Sequence, residues 1–255
     1  MKNARATFIL GLAVLVGLAL ALPARADVYM KQKVHTDAIQ IMGQSQPAKD
    51  MIMTMWITDN TARMDQEGGI STLLLADQKI LYMIDHAKKQ YAAMPLDFDK
   101  IIQEAAGDDP EKAEAMAKMP AFMKNMMGSM SAKVTDTGEK KTIGAWSCRK
   151  YLLEMNMSMA GTMNAETWAT EDIKLDYTKV FAAANAMMAA MPGFENILQE
   201  MKKIKGVVVF QTAKTKVMGA EVGSTTELLE AGDKNAPAGT YDLPAGYKKV
   251  KAIKG

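Results

Sequence analysis

Residues 146–170 read WSCRKYLLEMNMSMAGTMNAETWAT, a stretch that combines alternation, a turn and flanking helical segments. On a strand successive side chains point to opposite faces, so Tyr151, Leu153, Met155, Met157 and Met159 share one face, with Lys150, Glu154, Asn156 and Ser158 on the other. Ala160-Gly161 supplies a permissive turn. A three-residue loop continues the apolar face through Met163, Ala165, Thr167 and Ala169, whereas a two-residue loop places Trp168 there. The stretch predicts a β-hairpin with one dry face.

Upstream of it, residues 28–42 favour β structure, and 44–50, with Pro47, form a break. Residues 51–56 and 62–66 flank turn chemistry at Thr58 to Thr61, and 70–75 pairs with 79–84 across Ala76-Asp77-Gln78. A short strand over 89–94 completes an antiparallel meander. Helical spacing then takes over at Phe98, Ile101, Ile102 and Ala105. Asp109-Pro110 opens a segment in which Met116, Met119 and Met123 share one helix face, interrupted at Pro120. Residues 130–137 and 141–145 return to β patterning around Gly138. Downstream of the hairpin, Asp176 or Thr178 caps a helix carrying Val180, Phe181, Ala184, Met187, Met188 and Met191. Pro192-Gly193 breaks it before a shorter helix over 194–201. Closing strands are predicted at 207–212, 216–222 and 224–229, then a coil over 231–246 and an apolar clasp at 247–250.

Residues 1–26 carry Lys2 and Arg5, an apolar run from Phe8 to Leu22 and Ala24-Arg25-Ala26, which is the pattern of a cleaved secretory signal peptide. The expected mature chain, residues 27–255, is a single periplasmic domain. The full chain's 31 basic residues less Lys2, Arg5 and Arg25 leave the mature chain 28 against 29 acidic ones, so no basic footprint points to nucleic acid. Cys148 is the single cysteine: it cannot pair within the chain, and it reads as a buried small hydrophobe rather than an exposed dimer-forming thiol.

HExxH, CxxC, GxSxG, the phosphate-binding loop and the dinucleotide fingerprint are all absent, and neither His35 nor His86 is placed by a motif. The expectation is a non-enzymatic protein without cofactor or bound metal. Methionine is the anomaly, with 24 residues against six phenylalanines. Three readings stand: core filler, a deformable apolar wall for a hydrophobic ligand, or thioether ligands for Cu(I) at Met51 to Met55 and Met155 to Met159. The second assigns Met116, Met119 and Met123, Met187 and Met191, and Met155, Met157 and Met159 to the walls of one ligand cavity.

The segments TARMDQEGGISTLLLADQKILYMIDHAKKQYAAMP, GAWSCRKYLLEMNM and YDLPAGYKKV, behind a signal peptide, together resemble an exported bacterial family of unknown function related to the periplasmic lipoprotein carriers LolA and LolB. The resemblance implies an α+β fold: an open half-barrel of curved antiparallel sheet with helices over its concave face, sheltering acyl chains. The expected partner is a lipid, another hydrophobic small molecule or an acylated protein, with an envelope protein as a further partner. The alternative is a Cu(I)-handling protein or an envelope scaffold.

Overall fold

The strand that begins at Asp27 is the seam of the molecule. The computed structural model describes residues 26–41, 44–97, 130–156, 161–188, 195–217 and 219–253. In it, β1 (Asp27–Thr36) runs antiparallel to β4 (Lys49–Ile57) on one side and to β13 (Ala220–Lys234) on the other. Beyond β4 a meander continues through β5 (Thr61–Gln66), β6 (Ile70–Leu75), β7 (Ile80–Asp85) and β8 (Gln90–Pro95). Beyond β13 a second meander runs back through β12 (Val207–Val217), β11 (Thr162–Thr170), β10 (Trp146–Asn156) and β9 (Ser131–Ile143). β14 (Lys248–Lys249) returns to pair with β8, in parallel, and completes a 12-stranded sheet. β2 (Ile39–Ile41) and β3 (Gln44–Gln46) form a separate small hairpin. With α1 (Tyr177–Met188) and α2 (Glu195–Met201), this unclosed, curved sheet is the half-barrel that the family resemblance implies.

Register carries one apolar face from strand to strand. Val28, Ile57, Ala62, Leu74 and Leu81 lie opposite one another across β1, β4, β5, β6 and β7, and Val180, Ala183 and Ala186 of α1 pack on that row. In the other half Val134, Leu153, Ala165 and Ala213 form the equivalent row across β9 to β12, covered by Ile197, Met201 and Ile204 at α2. Each large side chain so buried contributes roughly 1.5–3 kcal/mol, which is why the two short helices stay docked.

The hairpin takes the face assignment of the three-residue alternative, with Met155 opposite Met163, Leu153 opposite Ala165 and Tyr151 opposite Thr167. Trp168 therefore falls on the other face, opposite Lys150, yet is only 2% exposed. The Lys141 ammonium covers it, 3.9 Å from the ring centroid, and its indole N–H donates to Glu166 Oε1 at 2.9 Å. Cys148 belongs to the same cluster and is buried, as expected.

Two predicted boundaries dissolve. Gly138, expected between two β segments at 130–137 and 141–145, sits at φ 75° inside the continuous β9, where Tyr151 pairs with Asp136 but Arg149 pairs with Lys140; the glycine accommodates a bulge. The three closing strands are two, β12 and β13, and Gly223 lies within β13 because Asp37 fills the space a side chain there would occupy: a Cβ on Gly223 would meet the Asp37 carboxylate at 2.1 Å. The helical segment predicted between 98 and 129 and the leader before Ala26 lie outside the described residues.

Candidate functional site

An apolar cavity of about 710 Å³ opens between α1, α2, β1 and the start of β12. Met30 of β1, Leu175, Val180, Phe181 and Ala184 on the α1 side, Leu198 and Met201 of α2, and Ile204, Val207 and Val208 make most of its wall. The volume is within the range of about 300–1,000 Å³ usual for small-molecule sites.

Local chemistry sets each wall. Asp176 caps α1, its carboxylate accepting the Thr178 N–H at 3.1 Å. In the first turn the buried Lys179 donates from Nζ to the Ala26 carbonyl at 2.6 Å, a contact of the uncleaved chain, since Ala26 is the last residue of the expected leader. Glu200 of α2 accepts the Val134 N–H at 2.9 Å, covering a donor on the edge strand β9, and pairs with Lys203 at 2.5 Å. The hydrogen bond from Lys203, and then that from Val134, holds the Glu200 carboxyl below its ordinary range. Beneath the cavity mouth the buried Tyr151 hydroxyl accepts the Lys205 N–H at 3.3 Å.

Glu171, Lys174, Lys202 and Lys205 also line the cavity and are exposed, which places charge at its mouth. Tyr177, in the wall, has a buried hydroxyl with no hydrogen-bond partner among the described residues. Burial first, and the Glu171 charge second, push its pKa up to about 12, so it stays a neutral phenol with a donor to offer.

Met116, Met119, Met123, Met157, Met159 and Met191 lie outside the described residues, and Met187 falls within α1 without a described side chain. Met155 packs with Met163 and Met201 against the Val134 and Leu153 cluster and is not part of the cavity wall. What the register does assemble is another set: Met30, Met55 and Met64 stand opposite one another on β1, β4 and β5, half-buried on the helix-covered face, with Met51 and Met53 alongside on β4. Alternation in MIMTMW put the β4 methionines on one face, but only strand pairing reveals their partners.

Ser71, Asp65 and His86 come together on the opposite face, as Ser71 Oγ is 2.5 Å from Asp65 Oδ1 and 2.8 Å from His86 Nε2. Sequence reasoning placed neither histidine. The short contact makes Ser71 a donor to the carboxylate, and Ser71 is 2% exposed, so it is not a free nucleophile. Arg63 holds Asp65 at 2.8 Å, and His86 Nδ1 meets the Tyr247 hydroxyl at 2.9 Å. The network fastens the C-terminal segment to the sheet.

The family model described as "Domain of unknown function (DUF4412)" matches residues 38–247. No curated protein matches the chain. Among solved structures, PNGF-II aligns at 9% identity and a TM-score of 0.36 over 89% of this chain and 31% of its own, so the chain spans about a third of that protein. A domain described as an outer membrane lipoprotein-sorting protein from Vibrio parahaemolyticus aligns at 7% identity and a TM-score of 0.32, covering 91% of this chain and 95% of that one. LprF from Mycobacterium bovis aligns at 10% identity and a TM-score of 0.29, covering 88% and 90%.

Proposed function

The chain belongs to the DUF4412 family, and from that premise we propose that it is a non-catalytic binding protein of the cell envelope that shelters the apolar part of a lipid or other hydrophobic molecule. The observation that carries the reading is the apolar cavity under α1 and α2, walled by Phe181, Ala184, Leu198 and Val208. The export pattern of residues 1–26 supports a periplasmic setting, with lipid or acylated-protein traffic as the context. A ten-carbon chain moved from water into such a site gains roughly 8 kcal/mol, of which association consumes at least about 4, leaving an affinity near millimolar for the chain alone.

A neutral fluorescent probe, N-phenyl-1-naphthylamine, tests the reading. It should bind the wild type and Met155→Leu, and Ala184→Trp, which fills the cavity from α1, should abolish binding while the circular dichroism spectrum stays unchanged. Equal binding by the Trp variant overturns the assignment.

Thioether copper chemistry has one observation in its favour, the Met30, Met55 and Met64 row, since facing cross-strand positions hold their Cβ atoms about 4.5–5.5 Å apart and soft sulfur suits Cu(I). Titration of Cu(I) against a chromophoric chelator, on wild type and on the triple Met→Leu variant, decides it: uptake that is absent, or is retained in the variant, removes this second reading.

A further inference from the structure

We infer that the ligand is an anionic amphiphile whose headgroup is held at the cavity mouth by Lys174, Lys202 and Lys205. The inference rests on the proposed binding function and adds the charge of the ligand to it. The three lysines and Glu171 are the charged residues of the cavity lining, and all four are exposed, whereas Ile204 and Val207 beside them are buried. An apolar interior under a mouth of net positive charge matches a molecule with an apolar tail and a negative end.

The cations at the mouth are not equally committed. Lys203, next in the chain, is consumed by Glu200 at 2.5 Å, but among the described residues neither Lys202 nor Lys205 has a carboxylate within ion-pair distance. The Lys202 ammonium stands 5.8 Å from the Phe181 ring centroid, which locates it beside the apolar wall. Lys174 gives one of its donors to the Glu171 carbonyl at 2.8 Å and keeps two.

Glu171 opposes an anion at the same mouth and the Asp136 carboxylate, itself bound by Arg149, also feels Lys205, so the three lysines must outweigh them, as three cations against those two carboxylates do.

Displacement of N-phenyl-1-naphthylamine by dodecanoate, dodecanol and dodecyltrimethylammonium, each below its micellar concentration, separates this inference from the reading beneath it. Dodecanoate should displace the probe at least tenfold more effectively than the cationic analogue, and the preference should shrink with added salt, because exposed charges are screened. In the variant Lys202→Glu/Lys205→Glu the preference, measured against the neutral dodecanol, should vanish or invert. A wild type that binds the probe but ranks the three amphiphiles equally, or a double variant that keeps the anionic preference, overturns the headgroup inference alone. A wild type that fails to bind the probe overturns the binding function and this inference with it.

Discussion

Gly206 lies so close to Thr170 that a Cβ built on it would sit 2.0 Å from the Thr170 carbonyl oxygen, and its φ is +91°. This approach lets the segment after α2 cross the end of β11 and deliver Lys205 and Val207 to the cavity. Gly206→Ala adds a left-handed penalty of about 1–2 kcal/mol to a backbone clash that no rotamer relieves. Urea unfolding should show a loss above that penalty, whereas Gly219→Ala, at φ +84° with nothing within 4 Å, should show the penalty alone. Equal losses for both variants would remove the close approach as a determinant of the fold.

Tyr247 couples the C-terminal segment to the sheet through His86, and the amides of Lys248 and Val250 then donate to the Lys89 and Tyr91 carbonyls at 3.0 and 2.8 Å. Tyr247→Phe leaves a half-buried imidazole nitrogen unmatched, at a cost of about 1–3 kcal/mol. Hydrogen exchange at those two amides should accelerate while the amides of β10 and β11 keep their protection. Unchanged exchange at Lys248 and Val250 contradicts the clasp.

Cys148 is 1% exposed, and burial is the main cause that pushes its thiol above the ordinary range. Native protein should react with an aromatic disulfide reagent orders of magnitude more slowly than unfolded protein, at a rate that rises with denaturant. Fast native labelling, or a dimer lost on reduction, would show an open cluster around Trp168.

His35 stands between two carboxylates, its Nδ1 2.6 Å from Asp50 and its Nε2 3.3 Å from Asp37, with Lys33 3.3 Å from Asp50 and Glu227 beside the same recess. Only an imidazolium donates to both. The Asp50 hydrogen bond is the main cause that raises the His35 pKa above 6.5, and His35 in turn lowers that of Asp50 below 3.8. The raised histidine contributes stability that is complete below 6.5 and is lost as pH climbs through its folded value. Asp50 contributes above 3.8, and its share is lost as pH falls through its folded value, so the clamp is strongest between the two ordinary values. His35→Gln should flatten the pH dependence of the unfolding midpoint above that window, and an NMR titration of His35 with a midpoint at or below 6.5 refutes the arrangement.

Much of the sheet was legible because its strands alternate. The two-fold period in Tyr151, Leu153 and Met155 marked a face without any knowledge of partners, and Thr58 to Thr61 marked a reversal through side-chain chemistry that needs only neighbours in sequence. Gly223 misled for the opposite reason. It reads as a break, and the cause of its presence in a strand is Asp37, which only the pairing of β1 with β13 brings within reach. The loop parity that sends Trp168 to the far face was one of two sequence alternatives, and the third dimension selected it by covering the indole with Lys141.

The amino-acid order by itself determined an antiparallel sheet with an apolar face, two helices after the hairpin, a buried lone thiol and a chain rich in thioether, because alternation, capping and composition act over a few residues. Tertiary structure decided that β1 joins the two meanders, that Met30, Met55 and Met64 face one another, and that Lys202 and Lys205 share a mouth with Tyr177. Those relationships depend on strand order and on backbone contacts such as Gly206 with Thr170, between positions far apart in the chain, where the local periodicity of a sequence carries no information.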